Sequence, residues 1–394
     1  MHIRTLDVFF LKMIIIVLFF STVINFYVFP SFFFIEFFSL TIISYGLFVQ
    51  KHTFKTEVYF PITLFLFSLS LCLYSILKVD FDVDGFAKET YRFFSVSLFF
   101  ISFYFIKIPY REMFKFLLIL CKAYVFYNLY ELLYINIINP GNIDGLIFGR
   151  GIQNYYNSPS GSSYFRQQSE YLIPFIRPFG ILFQPQKSAF IFPLAMLILH
   201  VCDHYKYIVK KKYLWYFLFF ISVIITGAKT ALLSSIVILI ILSINFFQRF
   251  VSIRQFIYML MFIVVFFFGL LKIVDFSNST HSSSVAFSKE LTAFFNLDIM
   301  NFLFGAGFIN STTMTSLGFP GEVFIIRVIL QLGVINSIIL AVFSIKVFLT
   351  NLNKITLIVL SLIFFMTIHY AIMNVSFFLF VIALALIHEK KNEQ

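Results

Sequence analysis

RPFGILFQPQKSAFIFPLAMLILH, Arg177–His200, carries an arginine, two glutamines and a lysine into an apolar run of membrane-spanning length. A charged side chain at the centre of a bilayer costs roughly 2.5–3.5 kcal/mol on insertion scales, so Lys187, just inside the run, marks a cavity or pathway. The competing reading is that Arg177 and Lys187 snorkel to the interface and fix the depth of the helix, as long cationic side chains do. Under both readings the stretch is a membrane span with a polar start.

The rest of the chain agrees with that class. Of 394 residues, 60% are hydrophobic and only 12% are charged, and apolar runs recur from end to end. The expected fold is all-α, a single polytopic membrane domain over residues 1–394 with about 12 transmembrane helices. The net charge of +11 does not imply a nucleic-acid partner, because most lysines and arginines sit in short connections between apolar runs, where they orient helices. Cys72, Cys121 and Cys202 fall within or at the ends of apolar segments, which indicates neither a disulfide framework nor a metal cluster.

In chain order, Arg4 and Lys12 precede an apolar run to Phe29 with no small-residue cleavage site, so an uncleaved first span is expected. Further spans are expected at about 31–49, 60–77, 93–106, 114–138, 180–201, 213–226, 230–247, up to about 274, 322–346, and two within 355–388. Two connections are long, about 139–179 and about 275–320, and loops of that length tend to be functional or disordered. Lys51, Lys55, Lys107, Arg111, Lys115, Lys206, Lys210–Lys212, Arg249, Arg254, Lys346, Lys354, Lys390 and Lys391 all fall on the side that holds the N-terminus. The positive-inside bias therefore puts both termini in the cytoplasm and both long loops outside it.

The chain lacks a P-loop, a G-x-S-x-G elbow, an H-E-x-x-H pair and any zinc-like Cys/His spacing. The acidic turn at Asp80, Asp82 and Asp84 has an incomplete calcium register and reads as solvated. No metal and no cofactor are expected.

Three segments in order carry a resemblance. RPFGILFQPQKSA places Arg177, Gly180, Phe183, Pro185 and Ala189 in a pattern of arginine, glycine, aromatic, proline and small residue. ITGAKTALL, Ile225–Leu233, has a threonine-glycine turn followed by Ala228 and Lys229. FGAGF, Phe304–Phe308, is followed by a helix that opens on a polar residue and carries Gly333. Together they resemble the O-antigen polymerase and ligase superfamily (Wzy/WaaL type) over about residues 140–345. The ligase branch has a histidine near the start of the tenth span, where this chain reads SLGFPGEVF, so the resemblance favours a polymerase.

What the resemblance implies is a GT-C-like, metal-independent membrane glycosyltransferase of the bacterial cytoplasmic (inner) membrane. It would transfer O-antigen or capsule repeat units from a polyprenyl-diphosphate-linked donor to an acceptor sugar hydroxyl outside the cytoplasm. Its partners would be that lipid-linked oligosaccharide, the bilayer, a chain-length regulator and a flippase. The departing diphosphate can be held by fixed cations. Arg177 comes first for that role, then Lys229 and Arg327, then Lys187. Glu322, Glu170 and His281 are candidates for the general base. Arg166 is a further substrate-binding candidate, and with Glu170 it also reads as an i,i+4 surface pair; Glu322 also reads as a helix-start charge. The main rival functions are a flippase of lipid-linked oligosaccharide and an O-antigen ligase.

Overall fold

The computed structural model describes residues 5–27, 34–50, 95, 98–99, 101–103, 105–140, 143, 145–150, 152, 176–207, 209–247, 297–305, 332–339, 354–368 and 376–393. Among them every regular element is helical. In chain order these are α1 (Thr5–Phe19), α2 (Ser21–Tyr27), α3 (Phe34–Ser44), α4 (Tyr110–Leu133), α5 (Pro185–Ser188) and α6 (Ile191–His204). They continue as α7 (Lys212–Thr226), α8 (Lys229–Phe247), α9 (Ile299–Phe304), α10 (Lys354–Ile368) and α11 (Ser376–Glu393). Two π-helical turns, Tyr45–Val49 and Tyr134–Ile138, prolong α3 and α4. The expected spans near 60–77 and before 274 lie outside the described residues, as do residues 153–175, 275–296 and 306–320 of the two long loops and most of the span expected at 322–346.

Two described helical stretches are long and apolar enough to cross a bilayer, Tyr110–Ile138 and Pro185–His204. The second is the hub. Every residue of α6 from Ile191 to Leu199 is buried, the signature of a helix that is apolar all round and surrounded by others. It packs against α4, α7, α8, α10 and α11, while α8 lies along α10 and α1 bridges α4 and α11.

The lead-in to that hub corrects the sequence expectation. A helix was expected from Gly180, yet residues 176–184 are non-helical and the first helical residue is Pro185. The cause is local. Proline is well suited to the first position of a helix, and its ring drives the residue before it into extended backbone. Gln184 is accordingly extended, with φ −134° and ψ 116°. By contrast, α7 and α8 begin within one residue of the expected positions. Gly227, left-handed at φ +62°, ends α7, and its amide donates to the Ile224 carbonyl.

Helix α4 buries two polar residues and exposes several apolar ones. Its buried face carries Asn128 and Glu131 among Leu117, Cys121, Tyr124 and Val125. Its outward face carries Ile119, Phe126, Leu133 and Ile137, each about half exposed or more.

Candidate functional site

The site grows from residues 176–188, which cross the end of α4 before entering α5. Asn136 grips the first of them twice: its Nδ2 donates to the Ile176 carbonyl at 2.9 Å, and its Oδ1 accepts from the Ile176 amide at 2.7 Å. Glu131, fully buried, grips two more. The amide of Phe179 donates to one carboxylate oxygen at 3.0 Å and that of Gly180 to the other at 2.9 Å. From the other side the Ser188 hydroxyl donates to the Phe179 carbonyl at 2.7 Å and accepts from the Leu182 amide at 3.3 Å.

The turn so held is tight. Gly180 is left-handed at φ +70°, and a Cβ there would stand 2.1 Å from the Tyr124 hydroxyl and 2.6 Å from the Ser188 side chain. Phe183, with its ring buried, is also left-handed at φ +57°, and its amide donates to the Gly180 carbonyl at 3.1 Å. A bulky residue in that conformation is uncommon and persists only where its surroundings enforce it.

Arg177 lies inside this frame, 5% exposed. Its Nη1 donates to the carbonyl of Gly227 at 3.3 Å, across a sequence separation of 50 residues. The approach is close, since a Cβ on Gly227 would fall 2.7 Å from Arg177 Cδ. Lys229, half-buried, opens α8 two residues later. Ala228 precedes it, accepts from the Leu232 amide at 2.9 Å, and has no side-chain oxygen with which to cap the first turn. Arg177 therefore reaches the turn that ends α7, two residues before Lys229 opens the 19-residue α8. Such an arrangement favours an anion by fixed charge, by forked guanidinium donors and by the helix dipole.

The other sequence candidates fare unequally. Lys187 sits half-buried in α5, on the same segment as Arg177. Arg166, Glu170, His281, Glu322 and Arg327 lie outside the described residues, as do Asp80, Asp82 and Asp84. The third motif is internally joined. Gly333, at φ +77°, stands so close to residues 303–305 that a Cβ would meet the Gly305 nitrogen and the Leu303 oxygen at 2.4 Å. Among the described residues no group of three or more His, Cys, Asp or Glu side chains converges as a metal requires.

No family model, curated protein or solved structure matches the chain. The roles of these residues therefore rest on their geometry and on the motif resemblance.

Sequence reasoning missed Glu131 and Asn136, which sit inside the expected fifth span. A signal was present. A carboxylate in an otherwise apolar span is expensive and marks a functional position by default, and Asn128 and Glu131, three residues apart, share one helix face. Asn128 is fully buried, and both of its side-chain polar atoms lack a hydrogen-bond partner among the described residues.

Proposed function

We propose that this chain is a polysaccharide polymerase of the bacterial cytoplasmic membrane, with about 12 spans, cytoplasmic termini and its chemistry at the extracytoplasmic face. The donor is a polyprenyl-diphosphate-linked oligosaccharide and the acceptor a sugar hydroxyl. The observation that carries the reading is the contact of Arg177 with Gly227. It joins two of the three segments on which the resemblance rests and brings Arg177 to the turn that precedes Lys229. The exposed apolar residues of α4, Ile119, Phe126 and Leu133, support the membrane part, because they suit lipid better than water.

In this mechanism the acceptor oxygen bonds to the anomeric carbon as the bond between that carbon and the diphosphate breaks, and negative charge grows on the leaving group. Arg177 and Lys229 stabilise that charge, with Lys187 and Arg327 as further cations. Glu322, Glu170 or His281 takes the proton from the acceptor hydroxyl. Fixed cations serve where other enzymes use a metal ion, so extension of lipid-linked units by purified protein should continue in the presence of a chelator.

A second reading has a specific observation behind it. Arg177 is buried and bonded to a backbone carbonyl, which is also how a purely structural arginine would tie the lead-in to the α7–α8 turn. Polymer length per unit of membrane-inserted protein separates the two. If Arg177 holds the diphosphate, Arg177→Ala loses about 3–4 kcal/mol of transition-state stabilisation, about 100- to 1000-fold in rate, and Arg177→Lys is also impaired. Both variants should reach the membrane in normal amount. A structural Arg177 predicts lower abundance for the alanine variant and unchanged turnover in what remains.

A further inference from the structure

We propose that Glu131, assisted by Asn136, is the positioning residue that aims Arg177. This inference rests on the polymerase reading for its consequence in turnover, and on geometry alone for its consequence in structure. Asn136 fixes Ile176, the residue before Arg177, through both its amide and its carbonyl. Glu131 fixes Phe179 and Gly180, the second and third residues after Arg177, through both oxygens of one planar group. Between them stands Pro178, whose ring sets its own φ and confines Arg177 to extended backbone. The backbone of Arg177 is thus fixed from both sides by side chains of a single helix turn region, and only its side chain remains to be directed toward Gly227.

The cost of this clamp argues for a role beyond stability. Removing a carboxylate from water costs several kcal/mol, and well-packed apolar residues in place of buried ionic groups are often neutral or stabilising. Glu131 is fully buried and has no ion-pair partner among the described residues; its oxygens are engaged by backbone amides. What a carboxylate supplies and an apolar side chain does not is a pair of acceptors at fixed spacing. Those acceptors engage two successive amides, Phe179 and left-handed Gly180. A displacement of about 1 Å at a group acting on the transition state costs on the order of 100-fold in rate, so a rigid mount for Arg177 has a functional use.

The test replaces Glu131 by Gln, which keeps the shape and turns one acceptor into a donor that faces a backbone amide. Two readouts are taken on full-length protein. The first is thiol protection, in a chain carrying Cys72→Ser and Cys121→Ala: buried Ile181→Cys reports on the clamped segment, and native buried Cys202 reports on the bundle. The second is turnover of purified protein on lipid-linked repeat units. Glu131→Gln should make the thiol at 181 react about tenfold faster with N-ethylmaleimide while Cys202 stays protected. It should lower kcat by about 10- to 100-fold with KM little changed, since a mispositioned cation loses the transition state more than the ground state. Glu131→Asp, which keeps both acceptors, should recover part of both. A segment that stays protected in Glu131→Gln overturns the proposal, whatever the turnover. A segment that opens while polymer is unchanged leaves the clamp standing and overturns the catalytic reading of Arg177 instead. Where Glu131→Gln also exposes Cys202, Asn136→Asp takes its place in the same comparison, because it keeps the acceptor for the Ile176 amide and replaces the donor to the Ile176 and Leu132 carbonyls by an acceptor.

Discussion

At its start the central helix α6 receives a chain held by polar side chains, and at its finish it meets a cage of aromatic rings. The first end is a set of directional bonds from Glu131, Asn136, Ser188 and Arg177 to backbone groups. At the second, His388 of α11 stacks on Tyr110 with ring centroids 4.3 Å apart and packs against Tyr205 at 4.3 Å and Phe114 at 5.5 Å. Tyr207 Oη lies 3.1 Å from His388 Nε2. Near this end half-buried Lys212 pairs with Asp203 at 2.7 Å. Stacked rings give contact area without demanding one geometry. Buried polar clamps demand geometry and lose most of their value when it is disturbed. The clamped end should therefore be brittle in function, and the ring end forgiving.

The most severe test of that contrast is Gly180→Ala. Left-handed backbone costs a non-glycine residue roughly 1–2 kcal/mol, and the new Cβ would overlap the Tyr124 hydroxyl and Ser188, for about 1–3 kcal/mol more. The sum rivals a sizeable part of the stability of an ordinary domain. Membrane-inserted protein should fall sharply, as measured by abundance and by thermal melting in detergent. Normal abundance and melting would mean that the turn is looser than its contacts imply.

Gly227→Ala should act more selectively. The obstacle is Arg177 Cδ at 2.7 Å, part of a flexible side chain that can move away. Strain at φ +62° costs about 1–2 kcal/mol, so abundance should hold near normal. Polymer length per inserted protein should drop about 10- to 100-fold, because Arg177 is pushed off its carbonyl. Unchanged polymer would detach the Arg177–Gly227 contact from function.

How far the sequence foretold this contrast differs between its parts. The bounds of α7 and α8 were legible because an apolar run lies between Lys212 and Gly227, and a second follows Lys229. The charges at Arg177, Lys187 and Lys229 were equally visible, since each interrupts or borders an apolar segment. The helix start was misplaced by five residues because Pro178, Gly180 and Pro185 act together on backbone angles that an apolar average ignores. Glu131 was the larger loss. Its partners lie 48 and 49 residues away, and nothing in its local sequence names them. The joining of Arg177 to Gly227 was likewise beyond periodicity, although the motif order put both at the same end of the bundle.

At the ring end the expected effects are smaller. Tyr207→Phe keeps the ring and removes only the hydroxyl that meets His388, so about 0.5–1.5 kcal/mol should be lost in a detergent melt. Polymer per inserted protein should stay at the wild-type level. A loss of turnover at normal abundance would mean that the two ends are coupled through α6.

The smallest expected effect concerns Lys122, whose Nζ lies 4.3 Å from the centroid of the Trp215 ring, one turn into α7. Lysine over an indole face gains about 0.5–1 kcal/mol at a partly solvated site, and the gain belongs to the pair. Lys122→Met keeps most of the stem that packs on the ring and removes the charge. Trp215 is the single tryptophan of the chain, so its emission reports this contact without interference. The variant should shift that emission, leave polymer length unchanged, and lower stability by under about 1 kcal/mol. A double-mutant cycle of Lys122→Met with Trp215→Phe isolates the pair from the packing of each partner and should return a coupling of about 0.5–1 kcal/mol. A coupling near zero would assign Trp215 to apolar packing alone. A coupling of several kcal/mol would mean that the ring end, too, depends on fixed geometry, and the distinction between the two ends of α6 would fail.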